Sequence, residues 1–281
     1  MDDLDYEKHI EDYKKLIGYY ARKPYIDNSE TLRDAEEHAK HHHALCVFNP
    51  LRDWSQKTIL ITQNLSNDNA KYYMLYGAGR RLNMIFYAYQ EITHVAYDKR
   101  TEPLSHDEQL ILSREINIIY MHLRGVLDNF AWCLLYERQP ELVDTIHRND
   151  VGLFSQKFRR QCAAFVEIEE KIKEHDAWHD EVQERRNPVA HRIPLYVPPS
   201  VITQEEAKSY HALDNRINDN LNSLKLDEAR LALDEINTIG TFYPYFVHHP
   251  NEPHIPIYPT IPTDMTHLIR IGNAVEKGLL K

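Results

Sequence analysis

The sequence predicts an all-α fold, an antiparallel helical bundle with an irregular, Pro-rich C-terminal layer. Three observations predict it. Three long segments each carry one apolar stripe at alternating steps of three and four, and stripes of that kind must bury against one another. Only 8 glycines occur among 281 residues, which disfavours a turn-rich all-β fold and a glycine-loop nucleotide site. Prolines 188, 194, 198 and 199 cannot lie in a helix interior, so the bundle should give way there to extended chain.

Taken in order, residues 3–22 read as a polar, Tyr-rich helix. A second helix follows Asn28-Ser29 and runs to about Cys46, where Asn49-Pro50 breaks it. Thr58-Ile59-Leu60-Ile61 reads as a short strand or a packed loop. Ser66-Asn67-Asp68-Asn69 is a turn cluster that opens a helix over 69–98, with Tyr72, Leu75, Gly79, Leu82, Phe86, Tyr89, Thr93 and Ala96 on one face. Ser105 and Glu108 form a capping box opening a helix over 106–138. Its stripe is Leu112, Ile116, Ile119, Leu123, Val126, Phe130 and Leu134, and Pro140 ends it. A third long helix, 155–186, should bury Phe158, Cys162, Phe165, Ile168, Ile172, Trp178 and Val182.

An extended arm, 193–199, follows. Thr203 and Glu206 make another capping box, opening a helix to about 222, and a further helix runs over 227–239. The stretch 242–262 reads as extended and able to pair with the arm as a small two-stranded element. A final amphipathic helix, 264–280, presents Met265, Leu268, Ile269, Ala274 or Val275, and Leu279. Residues 1–281 read as one domain: a core over about 66–200, a C-terminal layer over 201–281, and N-terminal helices over 1–65.

The net charge of −10 argues against a protein that coats nucleic acid, because phosphate binding rests on Lys and Arg; a local basic cleft remains open. The 3 cysteines, Cys46, Cys133 and Cys162, are widely spaced and read as small core residues, which fits a reducing cytoplasm. No secretory signal pattern and no apolar run approaching a membrane span is seen. The expectation is a cytoplasmic protein without a membrane partner. The 18 tyrosines suit wet clefts and interfaces, where one end of the ring needs a polar partner.

The segment that carries chemistry is Arg186-Asn187-Pro188-Val189-Ala190-His191. Pro188 disfavours helix at Asn187, so the helix should end near Arg186 and one turn should bring His191 around beside it. This run resembles the HEPN superfamily of small helical bundles, whose hallmark is an Arg, a polar residue such as Asn, and a His a few positions on. The wider run to Pro199 looks like a group of bacterial HEPN-like proteins, and Leu123 to Ala131 resembles their preceding core helix. The likeness covers about residues 70–200.

That resemblance implies metal-independent endoribonuclease chemistry in stress or defence, with no cofactor and with two motifs facing each other across a homodimer. His191 would move the proton of the RNA 2′-hydroxyl. Arg186 would stabilise the phosphorane with its planar fork. Asn187, Asp128 and Asn129 would support them, and Arg185 and Arg192 would bind phosphate. A non-catalytic nucleotide- or protein-binding module of the same fold stays open, with Arg186 paired to Asp128 and His191 fixing the loop.

A metal-dependent bundle enzyme is the third reading. The 17 histidines include His38, His41, His42 and His43, and the pair His175 and His179. Asp144-x-x-His147 and Asp176-x-x-His179 are weaker variants of a carboxylate-x-x-His ligand pair, and only Glu91-x-x-His94 has the true form, short of a di-iron set. Solvated histidines are the expected outcome, so no metal ligands are assigned. Arg124 and Asp128, four apart, read as an intrahelical ion pair.

Overall fold

The computed structural model describes residues 47–97, 100–162, 165–166, 168–249 and 252–280, apart from the side chains of His191 and Pro259. The helices expected over 3–22 and 28–46, Cys46 and the histidines from 38 to 43 lie outside the described residues.

Helix α1, Asn49–Asn64, is the first correction. Leu51, Trp54, Thr58 and Ile61 are buried at helical spacing, so the run at 58–61 is neither strand nor loop. Its β-branched hydroxyls fold back on the helix: Thr58 Oγ1 donates to Ser55 O at 2.7 Å and Thr62 Oγ1 to Thr58 O at 2.7 Å. Pro50 sits in the first turn, where its missing N–H leaves no bond unmade.

The next rod is continuous but not uniform. Helix α2, Asp68–Tyr72, is capped by Asn67; a π-helical stretch, Tyr73–Gly79, follows, then α3, Arg80–Val95. The wider π turn shifts the buried face. Met74, Ala78, Leu82, Ile85, Tyr89, Ile92 and Ala96 line it, while Tyr72, expected inside, is 61% exposed. Gly79 lies against α1, where a Cβ would stand 2.8 Å from Thr58 Oγ1.

Helix α4, His106–Arg138, begins at the Ser105/Glu108 capping box, and all seven stripe residues are buried. The third long helix is broken into α5, Gln156–Gln161, α6, Glu169–Lys173, and α7, Asp176–His191. The apolar residues expected there are buried all the same. One ion pair shows why the rod cannot be straight. Arg159 meets Asp176 at 2.6 Å, whereas seventeen residues of continuous helix would hold them about 25 Å apart.

Helix α7 runs on through Pro188 to His191, beyond the expected end at Arg186. Pro188 stands in the last turn, close to the exposed terminus, so the amide bond it removes is one that water can replace. The arm then runs along the N-terminal half of α4. Asn117 clamps Leu195 through both its N–H (2.9 Å) and its C=O (2.8 Å), and Ser113 Oγ accepts from Val197 N at 3.1 Å. Leu195 and Val197 point inward and Tyr196 outward, as a period of two requires.

Helices α8, Gln204–Asn222, and α9, Leu226–Ile236, form a hairpin; no residue of α8 is buried. Strands β1, Tyr245–Phe246, and β2, Ile255–Pro256, pair antiparallel, and the arm joins them through a bridge between Tyr196 and Val247. Helix α10, Ile257–Leu279, starts earlier than expected and is kinked at Tyr258. It closes the core: Trp54 Nε1 donates to Asn273 Oδ1 at 2.8 Å, and the Trp54 ring lies over Gly272, where a Cβ would come within 2.7 Å. The buried apolar cluster extends from Val47 to Leu279.

A candidate phosphate groove along helix α4

The centre of α4 carries a polar strip between two neighbours, the α2–α3 rod on one side and α7 on the other. Contacts with the rod run antiparallel: Tyr73 meets Trp132 and Tyr136, Gly77 meets Asn129, and Arg81 meets Gly125 and His122. Gly125 matters for its size, because a Cβ would occupy the space held by the Arg81 guanidinium.

Asp128 stands at the middle of this strip. Arg124, one turn earlier, pairs with it at 3.2 Å, so the expected intrahelical ion pair is present. Burial pushes the Asp128 carboxyl above its ordinary range, and the charges of Arg124, Arg186 and Arg81 oppose that shift. Three guanidiniums from three helices thus bear on one carboxylate. The excess is positive, in a chain whose net charge is −10.

Each of two histidines touches one of these arginines. His122 Nδ1 lies 3.2 Å from Arg81 Nη1, and His179 Nε2 lies 2.5 Å from Arg124 Nη1. A guanidinium can only donate, so these ring nitrogens are the acceptors. Burial, with Arg81 second, lowers the His122 pKa. Burial, with Arg124 second, holds His179 down to about 4. His179 also stacks on Phe154 with centroids 4.0 Å apart. Both rings are neutral near pH 7; His179 is buried and His122 half-buried.

The residues named from sequence are distributed unevenly. Arg186 is half-buried, acts on Asp128, and donates weakly to Asn187 Oδ1 at 3.4 Å. Asn187 is exposed on helix α7 and caps no following turn, because the helix does not stop there. Asn129 lies on the strip, and its Nδ2 is buried without an acceptor. Arg192 is exposed just past α7. The side chain of His191 lies outside the described residues; its backbone ends α7. On a continuous helix five positions turn through about 140°, so the turn expected to bring position 191 back beside 186 is absent.

Arg185 is a correction. Its Nη1 donates to both oxygens of Asp264, at 2.9 and 2.8 Å, its Nη2 reaches Glu181 at 2.8 Å, and it lies over the Tyr120 ring. One residue step turns a helix by 100°, which sends Arg185 toward α10 while Arg186 faces α4. A guanidinium so occupied is a structural tie between α7 and α10, not a phosphate ligand.

The paired histidines of the metal reading part company. His179 goes to Arg124, while His175 Nδ1 meets His267 Nδ1 at 2.7 Å and burial holds His175 down to about 4. Asp176 is taken by Arg159. Among the described residues no three His, Cys, Asp or Glu side chains gather as a metal set. Cys133 and Cys162 are buried, and burial pushes the Cys133 thiol up. No described helix is long and apolar enough to cross a membrane.

Sequence reasoning missed Arg81 and His122. The signal was a spacing: Tyr73, Gly77 and Arg81 recur every four residues, facing Trp132, Asn129 and Gly125 in reverse order. Comparison of the chain with protein-family models, with curated proteins and with solved structures returned no match.

Proposed function

We propose that the groove binds the phosphate backbone of RNA and cleaves it through the 2′-hydroxyl, without a metal, as the HEPN resemblance implies. The observation that supports this reading is the carboxylate Asp128, ion-paired with Arg124 at 3.2 Å and also within the electrostatic field of Arg186 and Arg81. Guanidiniums held in place before substrate arrives stabilise the extra charge of a phosphorane with little reorganisation. Arg186 carries that role, with Arg81 and Arg124 at the flanking phosphates. His191, at the terminus of α7, takes the proton of the 2′-hydroxyl; the oxygen attacks phosphorus and closes a 2′,3′-cyclic phosphate as the bond to the 5′-oxygen breaks, and that oxygen takes a proton from water. Asp128 and Asn129 hold the arginine fork in register. A homodimer would bring a second set of arginines to the same substrate and strengthen the field against an acidic surface.

A second reading, a binding module that recognises phosphate without cutting, is favoured by one observation. Helix α7 continues through Pro188, which turns position 191 away from position 186. One experiment separates the two. RNA cleavage is measured in chelator for wild type, Arg186→Ala and His191→Ala. The cleavage reading expects activity in chelator and a fall of about a hundredfold or more in each variant. Equal activity in all three proteins would remove it. Binding by wild type without cleavage supports the module, and loss of activity in chelator points to a metal enzyme.

A further inference from the structure

Beyond Asp128 the chemistry of the α4 strip changes. Arg124, Asp128, Trp132 and Tyr136 recur every four residues, so one face of the helix passes from charge to aromatic ring over three turns. Tyr73 stacks on Trp132, with centroids 5.6 Å apart and planes at 15°, and on Tyr136, at 5.6 Å and 21°. None of these three rings is fully buried. Tyr76, 47% exposed, stands at the rim with the Arg80 guanidinium 4.6 Å from its ring centre. Between ring cluster and arginines lies Asn129, whose buried Nδ2 donor has no acceptor in the protein.

Tyr73, Trp132 and Tyr136 pack against the core without being fully buried. They keep part of their surface exposed and Tyr76 lies half exposed at the rim, one to two helical turns from the guanidiniums, and a buried amide donor stands between the two. Flat apolar faces beside cationic forks suit one ligand chemistry, an unpaired base joined to a phosphate. A duplex hides its base faces, and a protein partner has no need of the alternation.

The geometry points to a base-stacking platform: Trp132, Tyr73 and Tyr76 hold unpaired bases of single-stranded RNA whose phosphates lie against Arg81 and Arg124. Asn129 Nδ2 donates to a base carbonyl or phosphate oxygen as the strand passes from platform to groove. The choice of RNA rests on the function proposed above; the platform itself rests on the rings and the donor.

The test uses the full-length chain and a short 2′-O-methyl oligoribonucleotide, which cannot be cut through its own hydroxyl. Trp54 and Trp178 are 4% and 6% exposed, so stacking should quench the emission of Trp132. Affinity is read in parallel from the anisotropy of a labelled strand. Tyr76→Ala, at an exposed position, and Trp132→Leu, checked by circular dichroism for retained helix, should each weaken binding about five- to a hundredfold. Binding of inorganic polyphosphate, which has no bases, should be unchanged in both variants, and the duplex form should give no quench. Wild type that binds the strand without quenching, with both variants binding as tightly, overturns the platform and leaves cleavage standing. Quenching without cleavage of the unmethylated strand supports the platform and removes the nuclease. No binding of strand or polyphosphate at low salt overturns both.

Discussion

Replacing Asp264 with Asn tests the assignment that divides the two neighbouring arginines of α7. Asp264 is 1% exposed and accepts from Tyr120 Oη (2.9 Å), Trp178 Nε1 (2.8 Å) and Arg185 Nη1 (2.9 and 2.8 Å). Burial pushes its carboxyl upward, while Arg185, Trp178 and Tyr120 favour the charged form. Breaking a buried ion pair by removing one partner costs about 3–5 kcal/mol. Arg185 keeps Glu181 and a 12% exposed edge, which places the loss near the lower end, about 3 kcal/mol. For a chain of this size that is a fall in Tm of roughly 6–12 °C. Thermal and urea unfolding followed by circular dichroism measure it. The double variant Arg185→Met with Asp264→Asn removes both charges together, keeps an amide oxygen for the buried Trp178 and Tyr120 donors, and should recover most of the loss. Asp264→Asn within about 0.5 kcal/mol of wild type, or a double variant no better than the single, would show that the pair does not join α7 to α10. The same experiment on Arg186→Met should leave stability nearly unchanged.

Acid should weaken the fold well above the carboxylate range. His175 and His179 are both held down to about 4, first by burial, so between about 6.5 and about 4 the unfolded chain binds protons that the folded chain refuses. Their contribution is complete above pH 6.5 and is lost as pH falls, on the order of 3 kcal/mol for each ring by pH 4; a urea midpoint that stays flat from about pH 7 to about pH 5 would contradict it. Gly125→Ala should act in opposite directions on stability and binding. The new methyl displaces the flexible end of Arg81, while the helix gains about 1 kcal/mol from the glycine replacement. Polyphosphate affinity should therefore fall about tenfold with no loss of Tm, and unchanged affinity would place Arg81 outside the site.

The local patterns in the chain were enough to set most of the helices. The capping boxes at Ser105 and Thr203 open α4 and α8 at the predicted residues, because a cap satisfies orphan amides within four positions and needs nothing from afar. The stripe of α4 is buried throughout, because the helix crosses the centre of the molecule and meets neighbours along its whole length. At Thr58-Ile59-Leu60-Ile61 the β-branched composition misled, since propensity is weak beside the packing of Trp54, Thr58 and Ile61 on one face.

What only the tertiary structure decided is where long-range partners pull the chain. The Arg159–Asp176 pair and the inward turn of Phe165 break a rod that its periodicity alone would keep straight. The π stretch around Gly77, opposite Asn129, shifts the register of the next. The site depended on the same distinction. Adjacent arginines at 185 and 186 are alike as letters, yet 100° of rotation gives one to a buried carboxylate on α10 and the other to the groove on α4. Sequence spacing fixes angles along one helix; which helix waits on each face is set by burial of the whole core, and that settles which charges meet.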